Sequence, residues 1–396
     1  MPRLLLTTGL AFAGFAVLLP VAPLHVIALG GDEFLSGLAN AVLMGATVLT
    51  QLVVERVRSR IGWSAVLVLG CLFLGLPALV EIFAGQAWQV IALAAVRGIG
   101  FGIITVSAAS AIAVLFEPER RGRAVGAYGF AVAAAQLVLT PLAPWIADIA
   151  GFATAYALAA VPIVGVPFAV SAGAVIGQRS QHPGTAPGTP GTVVAFEPDP
   201  TNVEARVLFT RLLPPIVALT AVTCSGGAIM TFAPQFAPDA VFTLVLLLVF
   251  TAAAAVARWL AGGLADRFGA KTFVVPALGL AALGLASIAA GIAGVVGAGG
   301  PAMLVAGALL VGMSFGTVQN VTLVRAFELA GEHAKGTAST AWNVAFDAGT
   351  GVGALGIGAL ATGTSFAFSF VLLAGLCLIV GVALTMSSRR SDTHAA

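Results

Sequence analysis

The sequence predicts an all-α integral membrane protein: twelve transmembrane helices arranged as two related bundles of six. Three observations predict it. Apolar residues fill 59% of the 396 positions and charged residues only 9%, with a mean hydropathy of +1.06. A water-soluble globule carries roughly 25% charged residues on its wetted surface, so lipid has to solvate much of this chain. Long apolar runs recur at the length of a membrane crossing, and the second half repeats features of the first in the same order.

A crossing needs roughly 20 apolar residues to span a hydrocarbon core of ~30 Å. That rule places spans at 4–29, 35–56, 62–83, 88–116, 123–147 and 152–177, then at 207–233, 239–264, 272–295, 301–328, 336–361 and 365–387. The first run is too long for a signal-peptide core and has no small-residue cleavage site, so it reads as the first span. Between spans six and seven, Gln178 to Arg206 contains HPGTAPGTPG and EPDPTN. Pro, Gly, Thr and acid replace the apolar run there, which reads as a solvated linker. The expected division is a six-helix bundle over 1–177, a cytoplasmic linker over 178–206, a second bundle over 207–388 and a cytoplasmic tail over 389–396.

Orientation follows from Lys and Arg, which favour the cytoplasmic side. With the N-terminus inside, Arg3, Arg56, Arg58, Arg60, Arg120, Arg121, Arg123, Arg179, Arg206, Arg211, Arg267, Lys271, Lys335, Arg389 and Arg390 all fall inside. The outer loops carry Asp32, Glu33, Asp148 and Asp239 but no Lys or Arg. Both termini are expected in the cytoplasm. Trp88 and Trp145 near outer ends, and Trp63 and Trp259 near inner ends, read as an aromatic belt. The excess of Arg over Lys and the wealth of Ala, Gly and Val suit a bacterial source, hence a bacterial inner membrane.

Several classes find no support. The net charge is +2 and the basic residues are scattered, unlike a nucleic-acid-binding face. There is no P-loop and no metal-binding His-Glu helix motif, so no ATPase, metal or cofactor is expected. Cys71, Cys224 and Cys377 sit in apolar runs and read as core residues.

The repeat can be set in register. RGIGFGIIT, from Arg97, matches VGMSFGTVQ, from Val311, pairing Gly98 with Gly312, Phe101 with Phe315 and Gly102 with Gly316. The register carries on to pair Gly122 with Gly336, Ala124 with Ala338 and Tyr128 with Trp342, and it pairs Pro20 with Pro234. With a small shift, SRIGW at 59–63 matches DRFGA at 266–270. Each half has an even number of spans, so the copies run in the same orientation. Such a repeat implies a pseudo-two-fold axis along the membrane normal and a site between halves.

On these features the chain resembles the major facilitator superfamily, over all but the linker and tails. The most specific match is GGLADRFGAK, Gly262 to Lys271, similar to the family's loop signature of Gly, three residues, Asp-Arg, one residue, Gly and a basic residue. The resemblance implies a cytoplasmic gate at Gly262, Asp266, Arg267, Gly269 and Lys271. The first-half copy, VVERVRSRIG, has Ser59 where the acid is expected, with Glu55 one turn earlier, and would contribute Glu55, Arg56 and Arg60. The bland alternative for both loops is positive-inside anchoring. TPLAPW, Thr140 to Trp145, is similar to a worn form of the fifth-span motif of drug-proton antiporters, which implies efflux.

A charge at a helix centre in hydrocarbon costs at least ~2.5 to 3.5 kcal/mol, so each needs a reason. Arg97 and Asp347 are the two that fall far from both surfaces. Arg97 reads as an anion site or as the partner of a carboxylate, the alternative being a structural ion pair or carbonyl clamp within the first bundle. Asp347 reads as a proton carrier or cation anchor, the alternative being a packing hydrogen bond helped by the GxxxG spacing of Gly349 and Gly353. Polar groups expected to complete the cavity are Thr105, Ser107, Gln136, Gln319, Asn320 and Asn343, although such groups also pair among helices. Glu81, Asp148 and His25, near outer ends, read as interfacial. Pro20, Pro23, Pro234 and Pro238 read as matched kinks at the outer ends of spans one and seven.

The expectation is a monomeric secondary transporter in the lipid bilayer, moving a small-molecule substrate by alternating access, with proton-coupled efflux favoured. Uptake by symport or facilitated diffusion, and a non-transporting receptor or scaffold, are the alternatives.

Overall fold

The computed structural model describes residues 1–116, 118–181, 203–295 and 297–395. Contacts divide the chain into two compact units, Met1–Ala195 and Phe196–Ala396. The division falls inside the segment expected as a linker, of which residues 182–202 lie outside the described residues. Unit one contains α1 Pro2–Ala28, α2 Glu33–Glu81, α3 Ala87–Leu115, α4 Pro118–Ala159 and α5 Val166–Gln181, the last two joined through a 3-10 turn at Val161–Gly165. Unit two contains α6 Val203–Phe236, α7 Ala240–Phe268, α8 Lys271–Ile292, α9 Gly300–Gly363 and α10 Phe366–Ala395.

Ten helices among the described residues are long and apolar enough to cross a membrane. The 49 residues of α2 would reach about 74 Å at 1.5 Å per residue, more than twice a hydrocarbon core. The chain resolves this by breaking at Gly62 (φ 84°, ψ 171°). The same device breaks α4 at Gly151 (φ 82°, ψ 161°) and α9 at Gly331 (φ 64°, ψ −179°). A left-handed φ opens to glycine without steric penalty. Taking the arms separately, with the second arm of α4 running on through the 3-10 turn into α5, each unit has six helical segments among the described residues, the number of spans the sequence predicts.

Helix ends overrun the expected ones at the polar side. α5 reaches Gln181, inside the expected linker, α4 begins at Pro118, and α10 continues to Ala395 through the expected tail. Hydropathy marks only the part of a helix in hydrocarbon, whereas backbone hydrogen bonding carries on into polar sequence. The side chains of Arg120, Arg121, Arg123, Arg389 and Arg390 lie outside the described residues.

The repeat is visible in the packing. A Cβ at Gly98 would run into the carbonyl oxygen of Leu43 and one at Gly102 into that of Thr47; in unit two, Gly312 meets the carbonyl of Phe250 and Gly316 that of Ala254 in the same way. Small residues here let two backbones touch. Gly62 and Gly269, matched in the sequence, share a positive φ of 84° and 83°.

Proline treatment differs between the units. Pro20 and Pro23 lie inside α1, which runs on to Ala28 without a non-helical residue, so no break occurs at the expected kink. Pro23 cannot donate to Leu19 O, and Asn40 of α2 supplies the missing donor, its Nδ2 2.8 Å from that oxygen. In unit two Ala237, which follows α6, makes the ordinary bond to Ala233 O at 3.0 Å.

Candidate functional site

Four buried ionisable groups stand out in the spans: Glu81, Arg97, His25 and Asp347. The first three belong to one cluster in unit one, at the end of the bundle where α1 and α2 finish and α3 begins. Glu81 is the last residue of α2 and Arg97 lies ten residues into α3. Helix side chains slant toward their own N-terminus. The second arm of α2 and α3 run in opposite directions, so Glu81 slants inward while Arg97 slants toward the bundle end, and the two meet. Arg97 Nη2 lies 3.2 Å from Glu81 Oε1, with Glu81 0% and Arg97 2% exposed. Tyr156, from the second arm of α4, is wholly buried in a core that holds Ala78 and against which Ile82 packs. The Tyr156 hydroxyl is 2.7 Å from His25 Nδ1, and the His25 ring stacks on Phe152 at 4.4 Å.

This corrects the expectation for Glu81 and His25, which are core residues rather than interfacial ones. Distance along the sequence from a helix end does not tell how a neighbouring helix covers that end. Trp63 departs from the belt for the same reason: it is buried, with Nε1 donating to Ser180 Oγ at 3.1 Å and the Arg58 guanidinium 4.2 Å over its ring. Trp88 and Trp259 are exposed, as a belt requires.

Asp347 lies in the second arm of α9 and is 6% exposed. Gly349 and Gly353 carry the close packing of that arm: added Cβ atoms would strike Thr223 Oγ1 and Cys224 O of α6. Asp347, two residues before Gly349, is turned about 200° from that contact. Its neighbour Phe346 joins an aromatic group, with ring centroids 5.8 Å from Phe315 and 5.5 Å from Trp342.

The expected cavity residues divide. Thr105 donates to carbonyls of its own helix and sits 3.4 Å from Gln51 Nε2 of α2. Gln319 accepts from Arg258 Nη1 at 3.1 Å, and Asn320 Nδ2 lies 3.3 Å from Arg258 O. These three are engaged inside their own units. Ser107 is fully buried with an unbonded hydroxyl, and Asn320 Oδ1 is likewise unbonded. Gln136 is half-buried, and Asn343 is exposed, bonding only the Ser339 carbonyl of its own arm.

The expected gate residues also divide. In unit one Glu55 accepts from Ser110 Oγ of α3 at 2.6 Å and pairs with Arg58 Nε at 2.6 Å. Arg179 Nη1 donates to Leu115 O at 2.8 Å, so the linker-side ends of α2, α3 and α5 are tied together. Arg56 and Arg60 are exposed. In unit two Gly269 closes α7, with its N–H on Ala265 O at 2.8 Å, and Arg267 lies over the Phe268 ring at 5.3 Å. Asp266 and Lys271 are exposed, and a Cβ added at Gly262 would lie 3.6 Å from Asn320 Nδ2.

Comparison with known proteins decides the family. The family model described as the Major Facilitator Superfamily matches residues 4–353. The chain belongs to the major facilitator superfamily. It is a multi-pass membrane protein and a secondary transporter of that type. Solved structures agree on the fold. A peptide transporter, POT, in complex with sulfate superposes with a TM-score of 0.74 at 19% identity, covering 98% of this chain and 94% of that one. A bacterial homologue of the human lysosomal transporter Spinster gives 0.70 at 13% identity, covering 98% and 96%. The nucleoside transporter NupG gives 0.67 at 13% identity, covering 97% and 98%. No curated protein sequence matches.

Within this superfamily member, Glu81, His25 and Tyr156 are the functional candidates missed from sequence. One signal was available for Glu81: the deep Arg97 needs a counter-charge, and Glu81 is the acid nearest it along the chain.

Proposed function

We propose that this superfamily member exports a small solute across a bacterial inner membrane by alternating access, in exchange for protons. Asp347 carries the proposal: a carboxylate at mid-span, buried, and turned away from the α6 contact that Gly349 and Gly353 make. A charge at that depth is costly, and binding a proton or a cationic solute group removes the cost. In this scheme Asp347 is ionised when its pocket opens to the cytoplasm, takes the cationic group of the cargo there, and releases it outside on accepting a proton. Asn343, one turn before Asp347 on the same arm and exposed, offers a hydrogen bond. Each proton supplies roughly 2.3 kcal/mol per 100 mV. The loops at Glu55 and at Asp266–Lys271 act as the cytoplasmic gate, with both termini inside.

The test is reconstitution of the full chain in proteoliposomes with an imposed proton gradient and a pH-sensitive dye, challenged with ethidium, a dipeptide and a nucleoside. The expected result is that one of these dissipates the gradient and moves against the proton flux, and that Asp347→Asn abolishes the proton-driven movement while solute exchange continues. Solute movement in the same direction as protons overturns efflux; movement indifferent to a protonophore, or no movement of any probe, overturns proton-coupled export.

A further inference from the structure

We infer that the Glu81–Arg97 pair of unit one, with Tyr156 and His25, forms a second proton-binding site, separate from Asp347, whose proton acceptor is Glu81. The inference rests on proton-coupled transport and names a further residue for it.

Four observations carry it. Glu81 is wholly buried, yet neither of its carboxylate oxygens accepts a hydrogen bond, and Nε and Nη2 of Arg97 donate none. The 3.2 Å approach of Nη2 to Oε1 is an ion pair without hydrogen-bond alignment. A buried pair repays its desolvation only with good geometry and with its remaining lone pairs and protons satisfied. This one does neither, so it is a poor structural device. Next, Glu81 closes α2, where the helix dipole puts partial negative charge. The ionised carboxylate is therefore held only by Arg97, and a neutral carboxyl is better suited to that position.

The surroundings then supply a route. Arg97 of α3 faces Glu81; Tyr156 of the second arm of α4 is buried in the core that holds Ala78 and against which Ile82 packs, and its hydroxyl meets His25 of α1. His25 lies three residues from the end of α1 and its Nδ1 is 2.7 Å from the Tyr156 hydroxyl, so two groups able both to give and to take a proton lie at the same bundle end as Glu81. Finally, the site has no copy in unit two. The repeat register places Val311 opposite Arg97 and Phe370 opposite Tyr156, so the fold itself does not need the polar group.

In the step proposed, one proton leaves the aqueous phase at the bundle end and binds the Glu81 carboxylate. The cluster changes from neutral to a charge of +1, carried by Arg97. Arg97 is then free to draw an anion or a carbonyl dipole, and the weakened tie between α2 and α3 lets that end of the bundle rearrange. Loss of the proton restores the pair.

Infrared difference spectroscopy on the full chain in liposomes tests this, because a neutral carboxyl has a carbonyl stretch that a carboxylate lacks. Acidification is expected to raise such a band, which Glu81→Gln removes and Asp347→Asn leaves in place. Because Glu81→Gln strands Arg97, the neutral double variant Glu81→Gln/Arg97→Gln is measured beside it and is expected to lack the band as well. An acid-induced spectrum unchanged in whichever of these variants folds overturns the inference. The transport assay separates the two proposals. Proton-driven movement in the parent chain that persists undiminished in the double variant sinks the role of Glu81 and leaves proton-coupled export standing. A Glu81 band in a chain that shows no proton-driven movement sinks export and leaves the proton site.

Discussion

The two units share a fold and differ in how they handle polarity. Both break long helices at left-handed glycines, and both seat two glycines of the fourth crossing on carbonyls of the second. Unit one then buries a charged cluster, patches the acceptor left by Pro23 with Asn40, and ties its linker-side ends through Glu55. Unit two has Leu247 in register with Asn40 and an ordinary backbone bond at Ala237, and its loop acid, Asp266, is exposed. The lesson runs against motif strength. The loop that follows the family signature is the less engaged one, while the degenerate copy, with Glu55 displaced by a turn, bonds a neighbouring helix.

The contrast between the units is tested most strongly at Arg97. At alkaline pH, where Glu81 stays ionised, Arg97→Ala leaves it buried without its counter-charge, which destabilises by about 3–5 kcal/mol. In detergent the melting transition should collapse, and the double variant Glu81→Gln/Arg97→Gln should recover much of the loss. Equal melting of the single and double variants would show that the pair is uncoupled.

Next come the helix contacts that the units share. Gly98→Leu and Gly312→Leu each overpack a backbone contact, with an expected loss of about 1–3 kcal/mol or more. The two should melt alike; a difference would mean that the repeat in packing is only apparent. Asn40→Ala strands the Leu19 carbonyl and should lose about 1–3 kcal/mol, whereas Leu247→Ala in unit two loses packing only. Adding Pro23→Ala restores a backbone donor to Leu19, so rescue of Asn40→Ala by that second change would show that Asn40 serves that carbonyl. The smallest effects are in the loops. Glu55→Gln should lower stability by about 1 kcal/mol through its bonds to Ser110 and Arg58, and Asp266→Asn by less than about 0.5 kcal/mol, as for an exposed side chain. A larger effect at Asp266 would invert the order of the two loops.

Much of the fold was legible in the sequence because it follows from solvent and period. The spans, the twelve crossings and the internal register all come from runs of apolar residues and from glycines at matched positions. The site was legible only in part. Arg97 and Asp347 declared themselves by depth, since a charge far from both ends of a span has few explanations. Glu81, His25 and Trp63 did not, because each lies near a helix end where water and neighbouring helices compete to cover it. Gln319 and Asn320 read as cavity groups, and their engagement by Arg258 depends on which helix lies beside them.

Solvent, number of spans and repeat follow from the order of residues alone, because hydropathy and glycine placement act along one helix at a time. Which charges meet is set by the packing of the helices. That depends on the directions in which side chains slant from antiparallel helices, and on how closely glycines let those helices approach.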